Sequence, residues 1–155
     1  MINKKIINKL IKNKITISVA ESCTGGMIAS EITSVPNSSN IFNLGLVTYS
    51  NQSKEKLLKI KKQNLKKYGA VSSQICKDMI ENLFKISKTD ICISTTGIAG
   101  PSGGSKFKPV GLVYIGIKFK KISKIYMYNF DKNLERNKIQ KKTVNTAFNL
   151  LDQII

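Results

Sequence analysis

Apolar residues recur at helical spacing along the first dozen positions. Ile2, Ile6 and Leu10, with Ile7 and Ile11 beside them, share one face, and lysine and asparagine fill the other. The stripe predicts an amphipathic helix that packs on its own domain, as most surface helices of globular domains do. The period then changes. A short apolar run over residues 14 to 20 predicts a buried strand, broken by "ESCTGG", and a helix follows from about Gly25 to Ser34. Pro36 and the cap-forming residues of "SVPNSSN" end it. "LGLVTYS", residues 44 to 50, predicts a second strand, and "NQSKEKLLKI" opens a helical segment with Asn51 as its N-cap.

Ser72 or Ser73 is placed to cap the next helix, whose Ile75, Met79, Leu83 and Ile86 repeat on one face. "DICISTTG" predicts a third strand. Beyond the loop "IAGPSGGSKFK", the run "PVGLVYIGIKF" predicts a strand in a hairpin with "KIYMYNF". A last helix carries Ile139, Thr143, Ala147, Leu150 and Ile154 on one stripe. The order of elements predicts an α/β fold, a three-layer α/β/α sandwich with a mixed sheet of about five strands. Residues 1–155 read as a single domain, without a repeat or a linker.

Composition narrows the chemistry. The formal charge of +17 invites a nucleic-acid reading, yet Arg136 is the only arginine among 26 basic residues. Arginine is the side chain suited to bidentate phosphate and base contacts, so no specific nucleic-acid partner is expected. Histidine is absent, which removes the commonest zinc ligand and the usual imidazole base. No metal and no cofactor are expected, and a Ser-His-Asp triad is impossible within the chain. Cys23, Cys76 and Cys92 have no paired spacing, which fits a reducing cytoplasm. The first residues lack the apolar core of a signal peptide and no segment reaches transmembrane length, so no membrane partner is expected. Self-association into a homo-oligomer is compatible with the sequence.

Three polar or glycine-containing segments fall where strands end: "ESCTGG", "TYSNQSK" and "TTGIAGPSGG". In open α/β sheets ligands bind at the carboxyl ends of strands, so the three are expected to meet in one crevice. In the first, Ser22 precedes a turn where Thr24, Gly25 and Gly26 offer backbone N–H groups to a developing oxyanion; Ser22 or Thr24 could equally cap a helix. In the second, Lys54 lies near a helix start, where the dipole and partial burial would lower its pKa and let it act as base to a serine; a solvated lysine is the plainer alternative. The third matches neither of the common nucleotide-binding loop patterns, although its glycines could cradle a phosphate.

Taken in order, "AESCTGG", "SSNIFNLGLVTYSNQSKEKLL", "YGAVSS" and "TTGIAGPSGGSKFKPVGLVYI" closely resemble the CinA C-terminal domain family, the nicotinamide-nucleotide amidases. The resemblance runs from about Leu10 to Leu151. It implies the three-layer fold and hydrolysis of the carboxamide of nicotinamide mononucleotide to nicotinic acid mononucleotide and ammonia. It also implies Ser22 as nucleophile and Lys54 as its base, with Cys23 the rival nucleophile. Donors near Thr24, Gly25 and Gly26 would hold the oxyanion. Tyr49 would line the ring pocket, and the loop with Gly97, Gly100, Gly103 and Gly104 would hold ribose or phosphate. Arg136 falls where a basic residue is expected ahead of the last helix, as a phosphate clamp. Three positions depart from the family pattern: Gln140 replaces a second arginine, Lys106 to Lys108 replace acidic residues, and Asn37 replaces a glycine. The larger family form carries a further N-terminal domain, and no activity of that domain is expected of this chain.

Overall fold

The computed structural model describes residues 2–155. Its first helix, α1 (Ile2–Lys12), leads into β1 (Ile17–Glu21), α2 (Met27–Thr33), a 3₁₀ turn at Ser38–Asn40 and β2 (Phe42–Val47). Then come α3 (Asn51–Leu58), α4 (Lys62–Tyr68), α5 (Ser73–Ser87), β3 (Ile91–Gly97), β4 (Leu112–Phe119), β5 (Ile122–Asn129) and α6 (Arg136–Asp152). The five strands form one mixed sheet in the order β2-β1-β3-β4-β5. β1 pairs in parallel with β2 and β3, and β4 and β5 pair antiparallel beyond them.

Alternation along the central strands sorts the core into two layers. Ile17, Val19, Ile91, Ile93, Val113, Ile115 and Ile117 face α1, α2 and α6. Ala20 and Cys92 face the other way, toward α3, α4 and α5, which contribute Leu58, Leu65, Ile75, Met79, Ile80 and Leu83. Two successive residues of a buried strand thus serve two cores, the signature of a sheet covered on both faces. The α/β/α sandwich with five strands follows the expectation from sequence.

Element boundaries moved where side chains found other employment. The second strand was expected at residues 44 to 50 but occupies Phe42–Val47, because Ser50 leaves the sheet to cap α3. Its hydroxyl accepts from the N–H of Ser53, whose own hydroxyl accepts from the N–H of Ser50. Asn51, expected as the cap, is therefore the first helical residue. β1 begins at Ile17 rather than near residue 14, since Lys14 takes a left-handed turn at φ 52°. α2 starts at Met27, two residues later than expected, after Gly25 and Gly26 complete a turn with φ 58° and 96°. At 96° a side chain would be strained. Ser72, not Ser73, caps α5.

The helical stripes also shift at their ends. Ile86 is 45% exposed and Ile2 60% exposed, whereas Cys76 and Ile80 join the buried face of α5. Ile154 falls beyond the end of α6, and Val144, Phe148 and Leu151 widen the buried stripe of that helix. No helix among the described residues is long and apolar enough to cross a membrane.

Candidate active site

The carboxyl ends of β1, β2 and β3 open into a cleft of about 240 Å³. Ser22 immediately follows β1, and Tyr49 and Lys54 follow β2. Gly97, Ile98, Ala99, Gly100, Ser102 and Gly103 follow β3, while Arg136 arrives from the start of α6. Of the residues expected from sequence, Ser22, Tyr49, Lys54, Gly97, Gly100, Gly103 and Arg136 line this one cleft. Thr24, Gly25 and Gly26 lie behind it in the turn, and Gly104 borders a separate groove with Pro101, Lys106 and Lys132. Gly97 allows a close crossing, because a β-carbon there would sit 2.7 Å from Val113.

Lys54 is the central feature. It occupies the fourth position of α3 and is 1% exposed, yet no acidic group pairs with it among the described residues. Its Nζ donates to the carbonyl of Thr48 at 2.6 Å and lies 3.0 Å from Ser22 Oγ. Burial without a counter-charge lowers its pKa from 10.5 to about 8. Loss of solvent, rather than the helix dipole also expected from sequence, is the dominant cause. Near neutral pH an appreciable fraction of Lys54 is therefore a free amine, with one N–H held by Thr48 and its lone pair available to the serine hydroxyl.

Cys23 also lines the cleft, but burial pushes its thiol up to about 12. At neutral pH it is a protonated, poorly nucleophilic group. Of the two neighbours, Ser22 Oγ lies within hydrogen-bond distance of Lys54 Nζ, and Cys23 Sγ makes no such contact among the described residues.

The turn that carries Ser22 is hydrogen-bonded at almost every step. Ser22 N–H donates to the Thr95 carbonyl, extending the pairing of β1 with β3, and the Ser22 carbonyl accepts from Gly25 N–H at 3.1 Å. Gln140 donates to the Cys23 carbonyl at 2.9 Å, and Met27 N–H to the Thr24 carbonyl. Gly26 N–H donates to the Glu21 carboxylate at 3.1 Å. Two of the three N–H groups expected to face an oxyanion are thus engaged within the protein, and that of Thr24 has no partner among the described residues.

At the far side of the cleft, Arg136 donates to the Gly100 carbonyl at 2.7 Å and to the Tyr49 hydroxyl at 2.5 Å. A guanidinium carries five N–H donors, so three remain for a ligand. The wall between is apolar, formed by Ala70, Val71 and Ile98. Thr96 donates to the Ala70 carbonyl at 2.7 Å and Lys108 to that of Tyr68 at 2.7 Å, tying this wall to the β3 loop.

Four further residues hold the site together. Glu21, Thr48, Thr96 and Gln140 act through contacts that only the fold creates, Gln140 reaching across 117 residues. Glu21 alone carried a signal, a carboxylate directly ahead of a glycine turn and a helix start.

The family model described as the CinA C-terminal domain matches residues 1–155. A CinA-like protein of Endomicrobium trichonymphae is 53% identical over 142 residues, covering 92% of this chain and 33% of that relative. The chain thus spans about a third of the length of the curated relatives it matches. Among solved structures, the competence/damage inducible protein CihA from Agrobacterium tumefaciens superposes with a TM-score of 0.93 at 35% identity, covering 98% of this chain and 92% of that one. A competence-damaged protein (CinA) superfamily protein from Escherichia coli gives 0.92 at 27% identity, covering 99% and 88%. With one family model matching end to end and relatives above half identity over nearly its whole length, the chain belongs to the CinA C-terminal domain family.

Proposed function

We propose that this domain is a nicotinamide-nucleotide amidase that hydrolyses the carboxamide of nicotinamide mononucleotide by metal-free serine acyl transfer. The observation that carries the reading is the buried, carboxylate-free Lys54 amine 3.0 Å from Ser22 Oγ. Such a lysine serves as a base for a serine where histidine is lacking.

Lys54 takes the proton from Ser22 Oγ as the oxygen attacks the carboxamide carbon, giving a tetrahedral oxyanion. The turn's N–H groups without a protein partner among the described residues, that of Cys23 at the cleft wall and that of Thr24 just behind it, are the donors we assign to that oxyanion. The C–N bond then breaks, Lys54 returns its proton to the departing nitrogen, and ammonia leaves an ester on Ser22. Water attacks this ester with Lys54 again accepting the proton; the bond from the acyl carbon to Ser22 Oγ then breaks, Lys54 returns the proton to that oxygen, and the free serine, neutral Lys54 and carboxylic acid complete the cycle. Ala70, Val71 and Ile98 suit the flat pyridine ring, and the remaining donors of Arg136 suit the phosphate.

The deciding experiment measures ammonia and nicotinic acid mononucleotide released from nicotinamide mononucleotide, with Ser22→Ala as control. Equimolar release that disappears in the variant supports the amidase. Nucleotide binding without release above the control would leave a binding module in its place.

A further inference from the structure

We infer that Glu21 is a positioning residue for the nucleophile, fixing the Ser22 turn from behind; the inference rests on the Ser22–Lys54 reading above. Glu21 ends β1 and is fully buried, and no lysine or arginine pairs with it among the described residues. A carboxylate in such a place is costly unless its oxygens are hydrogen-bonded. Here they are: Oε2 accepts from Gly26 N–H and Ile28 N–H, both at 3.1 Å, and from Thr24 Oγ1 at 2.5 Å, while Oε1 accepts from Ala29 N–H at 2.8 Å.

The network continues into the sheet. Because the single O–H of Thr24 goes to the carboxylate, its 2.8 Å contact with Thr95 Oγ1 has Thr95 as donor. One chain of bonds thus joins β3, the turn and the first residues of α2. Ser22 sits between Glu21 and Thr24, with its own N–H on the Thr95 carbonyl. Its Oγ is delivered to Lys54 by this frame, since Glu21 itself does not line the cleft. A glutamine at position 21 would turn an NH₂ toward donors and leave one of them without an acceptor, loosening the turn.

The test follows Ser22 reactivity in two ways: ammonia release, and the rate of covalent modification by a fluorophosphonate, which needs no nucleotide. Glu21→Gln is expected to lower kcat and the labelling rate about 30- to 100-fold with KM within threefold, the signature of a misplaced nucleophile in an otherwise intact cleft. Should Glu21→Gln fail to fold, Thr95→Val is expected to slow labelling about three- to tenfold at unchanged KM, with Thr95→Ser recovering most of the loss. Labelling of a folded Glu21→Gln within threefold of the parent overturns the inference, as does a Thr95→Val protein that labels like the parent when Glu21→Gln does not fold. An unreactive parent serine also overturns it. Labelling without ammonia release would instead remove the proposed substrate and leave the role of Glu21 measured.

Discussion

Two lysines are withdrawn from solvent at opposite ends of this sheet, and they live under different electrostatics. Lys118, in β4 beside the start of β3, lies 3.0 Å from the Glu81 carboxylate and stands 4.7 Å from the centre of the Phe84 ring. Lys54, at the other end, has a carbonyl and a hydroxyl for company and, among the described residues, no paired carboxylate. The first is a structural cation, its charge answered by a partner. Glu81 shows the reciprocal effect: burial works against its charge, but the Ser123 hydroxyl and Lys118 outweigh that and hold its pKa below the ordinary value. The second bears the cost of burial without compensation, which makes its neutral form accessible. An unpaired buried lysine beside a serine is thus a better marker of chemistry than burial alone.

The largest effect expected from breaking this contrast is on turnover. Lys54→Met should lower kcat for ammonia release by at least about 10³-fold while leaving nucleotide affinity within a few-fold, because proton transfer is lost and ground-state contacts are kept. Lys54→Arg should fail similarly, since a guanidinium stays protonated and cannot act as a base. In the unaltered protein kcat should rise with pH through an apparent pKa near 8, where Lys54 titrates. Near-normal turnover of the arginine variant would show that only charge is needed at this position.

Next in size is the effect of Lys54 on stability. Its pKa of about 8 in the folded protein lies below the 10.5 of the unfolded chain, so between these values the unfolded state binds more protons and stability rises with pH. Integrated over that window the gain is about 3 kcal/mol. Other groups titrate there too, so the quantity to measure is the difference between the parent and Lys54→Met in denaturant unfolding at pH 7 and pH 10.5. The methionine variant should be the more stable at pH 7, and its advantage should shrink as pH rises. Equal pH dependence of the two proteins would mean that Lys54 is not desolvated in solution.

How far the sequence foretold this arrangement depends on the range of the interaction. The apolar runs of β1 and β3 and the stripe of α6 were legible because period and burial are local properties. Ser50, expected in the strand, leaves it because capping of α3 competes with the ladder over a few residues, a contest that propensity does not decide. Ser22 and Lys54 are legible as candidates at strand ends, with capping and solvation as plainer alternatives, whereas Tyr49 and Arg136 enter only through resemblance. Burial as a cause of the Lys54 shift is readable only in part, since its completeness depends on what the fold leaves out around the amine. Gln140 makes the same point: read in sequence as a departure from a family arginine, it is found holding the Cys23 carbonyl beside Ser22.

The smallest effect is expected from the lysine that has its partner. Lys118→Met keeps an unbranched side chain and removes the ammonium, with its ion pair and its place over the Phe84 ring, leaving Glu81 partly exposed and still bonded to Ser123 at 2.7 Å. Water can take over part of what the ammonium supplied, so the loss at pH 7 should be about 1 kcal/mol or less. Its pH dependence has the opposite sense to that of Lys54. A carboxyl whose folded pKa is depressed stabilises the protein above its unfolded pKa and loses that contribution as pH falls through the folded value. Weakening the depression by removing Lys118 should therefore move the onset of acid unfolding to higher pH, with ammonia release at pH 8 within twofold of the parent. Urea midpoints at pH 7 and pH 4, measured beside those of Lys54→Met, give the check: one lysine-to-methionine change should stabilise and abolish turnover, and the other should destabilise and spare it. If both variants lost stability and turnover together, the two ends of the sheet would be electrostatically alike, and the absence of a carboxylate near Lys54 would no longer distinguish a base from a buried ion pair.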